Sequence, residues 1–409
     1  MNARIVRTVL AAAALGAAVP SVLAAQTPQS GIVSDTTYGC IICHADKRRA
    51  FQQGVHAERG ITCDRCHGGD PTQVEVAPAH RGRFIGAPTK QQTLTLCASC
   101  HSDPDQMRQF GLAADQLAEY RTSRHGQLLI RENDQDAPTC TDCHDAHLIR
   151  PSTDARSNTY PTHIPDTCGK CHENASIMGK YGLPANELDR YRTGAHGVAV
   201  LERRNFAAPT CIGCHGSHAA LPPGVLEVTD VCGRCHQLLA RAFASGPHGQ
   251  APSDKLRGCL GCHSNHGTER VAENRIADLC ASCHGEESPM VALGREIQDQ
   301  VRRSEEDLAL ASEAIEEMAA DGYPVADERF RYVAAYTAYQ QLAQVQHSLN
   351  LEQLEELARQ VRSNAGVIRS TAEARAEERW EHKLLLIPIW FLTLSGLAFA
   401  WFKLRDLGR

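Results

Sequence analysis

The stretch Ala208-Pro209-Thr210-Cys211-Ile212-Gly213-Cys214-His215-Gly216-Ser217-His218 contains the pattern that decides the fold. Two cysteines stand two residues apart, and a histidine follows the second one directly. The 409-residue chain carries this Cys-x-x-Cys-His pattern nine times, and the nine copies use all 18 of its cysteines. A second histidine closes the quoted stretch, three residues after the first.

Cys-x-x-Cys-His is the attachment sequence of c-type haem. The two thiols form thioethers to the porphyrin, and the histidine ligates the iron from one face. Paired cysteines also hold zinc or form a thiol–disulfide couple. However, a redox couple needs one pair, and zinc ribbons do not require a histidine after each second cysteine. The sequence therefore predicts nine covalently bound c-type haems, each with its iron. The predicted thioether residues are Cys40, Cys43, Cys63, Cys66, Cys97, Cys100, Cys140, Cys143, Cys168, Cys171, Cys211, Cys214, Cys232, Cys235, Cys259, Cys262, Cys280 and Cys283, and the proximal iron ligands are His44, His67, His101, His144, His172, His215, His236, His263 and His284.

Eleven further histidines are candidates for the second axial position of the irons. Methionine is the other common axial ligand, but the chain has five methionines, of which Met107, Met178 and Met290 stay possible. Two histidine ligands per iron are therefore predicted for most haems. The alternative for any single histidine is a surface residue or a hydrogen bond to a haem propionate. The predicted distal ligands are His56, His125, His147, His196, His218, His248 and His266.

An internal repeat supports these seven residues. The segment 97–147 aligns without gaps on 168–218, with 20 identities in 51 positions. Both copies contain Tyr-Arg-Thr-x-x-His-Gly and end in Ala-Pro-Thr-Cys-x-x-Cys-His-x-x-His. Shorter copies run over 232–266 and 40–67. Such self-similarity predicts an array of like modules. His80, His163 and His347 have no counterpart in the repeats and are possible distal ligands only.

The sequence resembles the periplasmic multihaem c-type cytochromes of the cytochrome c3-like, doubled Cys-x-x-Cys-His type, which are related to octahaem reductases. The resemblance rests on the Tyr-Arg-Thr-x-x-His-Gly segment followed by Cys-Thr-Asp-Cys-His-x-x-His, and it covers about residues 39–285. It implies closely spaced haems with mostly bis-histidine ligation. The family includes enzymes as well as electron carriers.

Both chain ends carry apolar segments. Residues 1–25 have a basic start, a short apolar core and small residues at the end, which predicts a secretory signal peptide. Residues 384–402 form 19 positions without a charge, enough for one transmembrane helix; a buried core helix is the alternative. Basic residues in 403–409 predict a cytoplasmic tail, with the haem domain on the periplasmic side of the bacterial inner membrane.

Between the haem domain (26–285) and the anchor, residues 286–381 lack cysteine and have a helical composition. Apolar positions from Ile297 to Met318 alternate in steps of four and three, which is typical of a coiled coil. Asp321-Gly322-Tyr323-Pro324 breaks the pattern, so we expect an antiparallel hairpin of two helices. This hairpin places His347 near the haem of Cys280. A coiled-coil dimer is the alternative.

The predicted fold is mainly α with sparse regular structure: a nonahaem cytochrome c domain, a helical hairpin and one C-terminal transmembrane helix. The haem region is too short to build an apolar core around each cofactor, so the porphyrins themselves are expected to form the core. The net charge of −6 and scattered basic residues predict no nucleic-acid partner.

Two functions fit this sequence. The first is electron transfer between the membrane quinol pool, or a membrane quinol-oxidising protein, and a periplasmic or outer-membrane redox partner. The second is a multihaem reductase with one open haem, acting on nitrite, hydroxylamine or tetrathionate. All nine motifs keep the histidine, which favours the carrier, and no catalytic residue is assigned. A homo-oligomer or a complex subunit is compatible with either function.

Overall fold

The computed structural model describes residues 38–221, 228–251, 256, 258–269 and 271–407. It is mainly helical, with 68% helix and no strand among these residues. The predicted signal peptide at 1–25 lies outside the described part of the chain. The chain divides into two compact units, residues 1–106 with 138–160 and residues 107–137 with 161–409, and each is described by itself.

Short helices fill the cysteine-containing region, and three long helices follow it. In chain order the α-helices are α1 (Gly39–Cys43), α2 (Ala45–Phe51), α3 (Val55–Glu58), α4 (Cys63–His67), α5 (Val76–Ala79), α6 (Lys90–His101), α7 (Pro104–Arg108), α8 (Gln116–Thr122), α9 (Arg124–Arg131), α10 (Cys140–His144), α11 (Ile164–His172), α12 (Ala175–Lys180), α13 (Glu187–Thr193), α14 (Ala195–Leu201), α15 (Cys211–His215), α16 (Val228–Gly233), α17 (Gln237–Ser245), α18 (Pro247–Gln250), α19 (Ile276–His284), α20 (Pro289–Ala320), α21 (Ala326–Val345) and α22 (Leu351–Leu407). Short 3₁₀ helices cover Gly258–Gly261, Glu273–Arg275 and Gln346–Ser348.

The Cys-x-x-Cys-His motifs form short helical turns with a defined end. In α4, α10 and α15 the motif is the whole helix. The residue after the motif histidine has a positive φ at Gly68, Asp145, Gly216 and Gly285, with values between 69° and 80°. This left-handed conformation ends the helix, and glycine adopts it without steric cost. The chain therefore turns away directly after the histidine.

Each repeat also contains a pair of short helices that presents its middle histidine. The pairs are α2/α3, α8/α9, α13/α14 and α17/α18, and the histidine is the second residue of the second helix. An aromatic residue stands five positions before each of these histidines: Phe51, Tyr120, Tyr191 and Phe243. The second helix folds back sharply onto this residue, because a tight turn separates the two helices.

The His-Gly sequence shared by the two longest repeats has a steric cause. A Cβ atom on Gly126 would lie 1.9 Å from the carbonyl oxygen of Tyr120, and one on Gly197 would lie 1.8 Å from that of Tyr191. Gly249 has the same relation to Phe243, at 2.3 Å. Only a glycine allows the two helices to approach this closely.

The three long helices form a bundle with its own apolar core. At one end Ile297 of α20, Leu342 of α21 and Leu354 of α22 pack together, and all three are almost completely buried. The core continues through the middle of the bundle and ends beside the turn between α20 and α21, where Tyr323 donates a hydrogen bond to the carbonyl of Arg375. The bundle therefore holds together through its own side chains.

The prediction of a two-helix hairpin is wrong in one respect. The expected break at Asp321–Pro324 lies between α20 and α21, but a second break follows at 346–350. A 3₁₀ turn over Gln346–Ser348 and a left-handed Leu349 (φ 56°) reverse the chain there, and α22 runs antiparallel to α21. The bundle therefore has three helices, and His347 lies at the turn.

The third helix continues without interruption into the apolar C-terminal segment. Helix α22 runs for 57 residues and includes Pro388. Its part from 384 to 402 is exposed in the described chain and is long and apolar enough to cross a membrane by length and composition. This helix is compatible with a membrane anchor.

Candidate haem sites

Eight motif histidines each face a second histidine across a gap of similar width. The ring centroids of these pairs lie 5.9–6.4 Å apart. The pairs are His44–His80, His101–His56, His67–His147, His172–His125, His236–His196, His215–His266, His284–His248 and His263–His347. Each pair lies within one of the two compact units.

This spacing fits a metal ion held between two imidazoles. A metal–imidazole nitrogen bond is about 2 Å long, and the ring centre lies about 1 Å beyond the nitrogen, so two rings on opposite sides of one ion have centres about 6 Å apart. The rings are too far apart for direct stacking. The residues present therefore fit iron with two axial histidines, beside two cysteines that can hold the porphyrin.

Hydrogen bonds at the other ring nitrogen set the tautomer of several of these histidines. Nδ1 of His215 lies 3.1 Å from the carbonyl oxygen of Leu221, and Nδ1 of His263 lies 3.0 Å from that of Glu269. His67 has the same contact with the carbonyl of Gly86 at 3.0 Å. A carbonyl only accepts, so Nδ1 carries the proton and Nε2 is free to bind a metal.

Partial burial favours the neutral, metal-binding form of seven candidate distal histidines by lowering their pKa. Desolvation lowers the pKa of His125 to about 4, and the neighbouring His172 adds to the effect. It also lowers the pKa of His56 and His347. The same direction of pKa shift, with burial as the main cause, holds for His147, His196, His248 and His266. A neutral imidazole has a lone pair available for iron.

The middle histidine of each repeat faces the first motif of the next repeat. His56 of the first repeat pairs with His101 of the second, and the same step by one repeat recurs three more times. The further pairs are His125–His172, His196–His236 and His248–His284, the last reaching the motif that follows the fourth repeat. Adjacent repeats are therefore linked through shared sites.

The histidine that closes a repeat faces a motif of the preceding repeat, whereas the middle histidine faces one of the next repeat. His147 pairs with His67, and His266 pairs with His215, in each case the second motif of the preceding repeat. A backbone hydrogen bond also joins each repeat to the end of the next one. Its donor is the N–H of the residue before the middle histidine, and its acceptor is the carbonyl one or two residues after the closing histidine of the next repeat. The bonds are Val55 to Ile149 (2.8 Å), Arg124 to Ala220 (3.2 Å) and Ala195 to Gly267 (3.1 Å).

Two sites at the ends of the array take their second histidine from outside the repeats. His80, in the loop after α5, faces His44 of the first motif. His347, from the turn of the bundle, faces His263. Gly246 packs against the backbone of Ser348, the residue after His347, as Gly194 packs against that of Gly267, the residue after His266. His347 therefore occupies the place that the closing histidine of a further repeat would have. The expectation that His347 serves the Cys280 haem therefore differs from the structure, in which His284 of that motif faces His248.

The remaining candidates occupy different surroundings. Nδ1 of His218 lies 3.5 Å from Oε2 of Glu119. The backbone hydrogen bond from Arg124 to Ala220 fixes the segment of His218, as the corresponding bonds to Ile149 and Gly267 fix the segments of His147 and His266. His163 is the N-cap residue of α11. Met107 and Met178 are buried and Met290 is 43% exposed.

Neighbouring motifs also bring their cysteines together. Within a repeat, the first cysteines of the two motifs are in hydrogen-bond contact, as Cys97 with Cys140 and Cys232 with Cys259, and this contact raises the pKa of Cys97 and of Cys232. Between repeats, Cys66 is close enough to Cys100 for electrostatic interaction, and Cys214 to Cys235. Groups attached to these cysteines are therefore neighbours along each compact unit.

Comparison with known proteins supports the chemistry of the motifs. A family model for the doubled CXXCH motif matches residues 248–289, which contain the motifs at Cys259 and Cys280. No curated protein matches the chain. The match supports a c-type cytochrome-like protein, and the motif indicates covalently bound c-type haem.

Proposed function

We propose that this protein is a membrane-anchored, nine-haem c-type cytochrome that transfers electrons and has no substrate-binding haem. The eight histidine pairs carry the proposal, because a second imidazole at each iron leaves no axial position for a substrate. His56, His80, His125, His147, His196, His248, His266 and His347 are the proposed distal ligands of these eight haems. We also propose His218 as a distal ligand, because its segment accepts a backbone hydrogen bond equivalent to those of the segments of His147 and His266.

Haem, when bound, supplies one-electron redox chemistry at an iron that keeps the same ligands in both oxidation states. The protein chain positions the haems and supplies the ligands of the iron. Its cysteines would hold the porphyrins, and its paired histidines would ligate each iron from both sides. Because the ligands stay the same on electron transfer, the reorganisation of the site is small, which suits a carrier. The electrostatic interactions between Cys66 and Cys100 and between Cys214 and Cys235 indicate neighbouring attachment points, which favours continuous transfer from repeat to repeat within each unit.

The apolar part of α22 supports a membrane location. Its side chains from 384 to 402 are exposed in the described chain, and Trp380 and Trp401 lie near the two ends of this segment as interfacial residues do. We place the haem domain on the periplasmic side, because the basic residues follow the span and the signal peptide predicts export. The proposed partners are a membrane quinol oxidiser and a periplasmic or outer-membrane redox protein.

Carbon monoxide binding to the reduced, full-length protein tests the carrier proposal. Carbon monoxide needs a free axial position on ferrous iron, so its binding relative to total haem counts the open sites. We expect no binding. Eight haems are accounted for by the described pairs, so binding at about one haem in nine would support the reductase alternative, and binding at several haems would contradict the ligand pairs themselves. Turnover of nitrite, hydroxylamine or tetrathionate by the reduced protein would also overturn the carrier proposal.

A further inference from the structure

One histidine pair differs from the others in the group that contacts its ring. Glu187 of α13 places Oε2 against Nδ1 of His266, whose ring faces His215 at 5.9 Å. Both atoms are completely buried and neither has a hydrogen bond of regular geometry in the described chain, so the contact between them is electrostatic, at the distance of an ion pair. The Glu187 side chain is 20% exposed, and Arg190 lies 3.8 Å from the same oxygen on the same helix. A charged acceptor is therefore directed at a candidate iron ligand.

The backbone of His266 shows that its orientation is imposed. Its φ is 61°, a left-handed conformation that costs a residue with a side chain of the order of 1 kcal/mol. The next residue, Gly267, accepts the hydrogen bond from Ala195 of the preceding repeat. The chain thus holds the ring against both Glu187 and His215 at the expense of local strain, as is common at functional sites.

A neighbouring pair provides the internal reference. His263 and His347 both direct Nδ1 at backbone carbonyls, those of Glu269 at 3.0 Å and Gln344 at 3.2 Å. Such neutral acceptors withdraw little proton density from the ring. A carboxylate accepts more strongly and makes the imidazole a better electron donor to its metal. A better donor stabilises the ferric state over the ferrous state.

We propose that Glu187 lowers the reduction potential of the haem held by Cys211, Cys214, His215 and His266, relative to the haem held by His263 and His347. This inference rests on the proposed haem ligation. Glu187 is a positioning residue that acts through His266. A similar contact occurs one repeat earlier, from a different position of the helix, where Oε2 of Glu119 in α8 lies 3.5 Å from Nδ1 of His218. Glu119 is more exposed, at 44%, so solvent weakens its effect.

The test is a potentiometric titration of the full-length holoprotein, followed by optical and electron paramagnetic resonance spectra of the low-spin haems. Glu187→Gln removes the charge and keeps the shape, and Glu187→Asp keeps the charge. We expect Glu187→Gln to raise the potential of one haem by a tenfold change in its equilibrium constant, about 59 mV for one electron. Glu187→Asp is expected to keep the potential of this haem close to that of the unaltered protein. Glu202→Gln, at the exposed end of α14, is the matched control and is expected to leave all potentials unchanged.

Three outcomes would overturn the proposal. The first is an unchanged set of potentials in Glu187→Gln. The second is an equal shift in Glu187→Gln and Glu187→Asp, which would show that packing and not charge matters. The third is a high-spin haem or carbon monoxide binding in Glu187→Gln, which would make Glu187 a support for the ring alone. Carbon monoxide binding by the unaltered protein would contradict the carrier function. It would leave the difference in potential between the unaltered protein and Glu187→Gln measurable, so the two failures are distinguishable.

Discussion

Replacing Gly197 by alanine is expected to disable one haem site through the backbone. The glycine follows His196 in α14, which folds back onto α13. The added Cβ would lie 1.8 Å from the carbonyl oxygen of Tyr191, where ordinary contact begins at 3.4 Å, so the helices must separate by about 1.6 Å. That oxygen belongs to the backbone and cannot rotate away.

The size of this shift decides the effect. A metal–imidazole bond is about 2 Å long and tolerates a deviation of about 0.2 Å, so a displacement of His196 by more than about 1 Å breaks its bond to iron. Overpacking costs about 1–3 kcal/mol in addition, apart from the lost ligand. We therefore expect Gly197→Ala to lower the melting temperature and to open the haem of His236.

The assay combines total haem content, the optical spectrum and thermal unfolding by circular dichroism. One haem in nine should become high-spin and bind carbon monoxide. The matched control is Gly179→Ala in α12, where a Cβ would meet no atom within 4 Å and alanine favours the helix by about 1 kcal/mol. A Gly197→Ala protein with an unchanged melting temperature and a fully low-spin spectrum would refute the steric explanation of the His-Gly sequence.

Three further predictions concern the bundle and the anchor. His347→Ala should open one haem in nine to carbon monoxide, whereas His382→Ala, which lies next to the apolar segment, should open none; an unaltered spectrum in the first variant would contradict the His263–His347 pair. Leu342→Ala removes a fully buried side chain and should lower the free energy of unfolding of the bundle by about 2–5 kcal/mol, measured by denaturant titration, while the half-exposed Leu310→Ala should change it by less than about 0.5 kcal/mol. Omission of residues 384–409 should move the protein from the membrane fraction to the soluble fraction with its haem spectrum intact, and retention in the membrane would exclude the C-terminal helix as the anchor.

The sequence predicts the parts of the sites that depend on neighbouring residues. Cys-x-x-Cys-His is a local pattern, and the repeats place the middle and closing histidines at matched positions. The pairing of histidines could not be predicted, because each pair joins residues that are distant in the sequence. Some pairs join different repeats, as His56 and His101 do, and others join a repeat to a segment outside the repeats, as His44 and His80 do. That choice depends on how the repeats pack, which composition and spacing do not specify.

The second break in the bundle was also hidden from the sequence. The segment 346–350 contains neither glycine nor proline, and the left-handed residue is Leu349, a residue that seldom adopts this conformation. Apolar positions continue at helical spacing on both sides, and the break leaves only a shift of their register between Leu349 and Leu354. Helical periodicity with such a shift is interpreted as one long helix. Leu342 and Leu354 both pack in one cluster with Ile297. This shared cluster requires the chain to reverse between them, and the tertiary packing outweighs the local preference.

The uninterrupted course of α22 determines which partners can reach one haem. From Leu351, four residues after His347, to Leu384 at the start of the apolar segment, the helix rises by about 50 Å at 1.5 Å per residue. With the proposed anchor upright in the bilayer, the haem between His263 and His347 stands several helix widths above the lipid surface. A quinol dissolved in the membrane cannot approach it at that height. Under the proposed function, this haem exchanges electrons either with a neighbouring haem of the chain or with a redox protein tall enough to stand beside the bundle. The length of α22 therefore limits which partners can contact this haem directly.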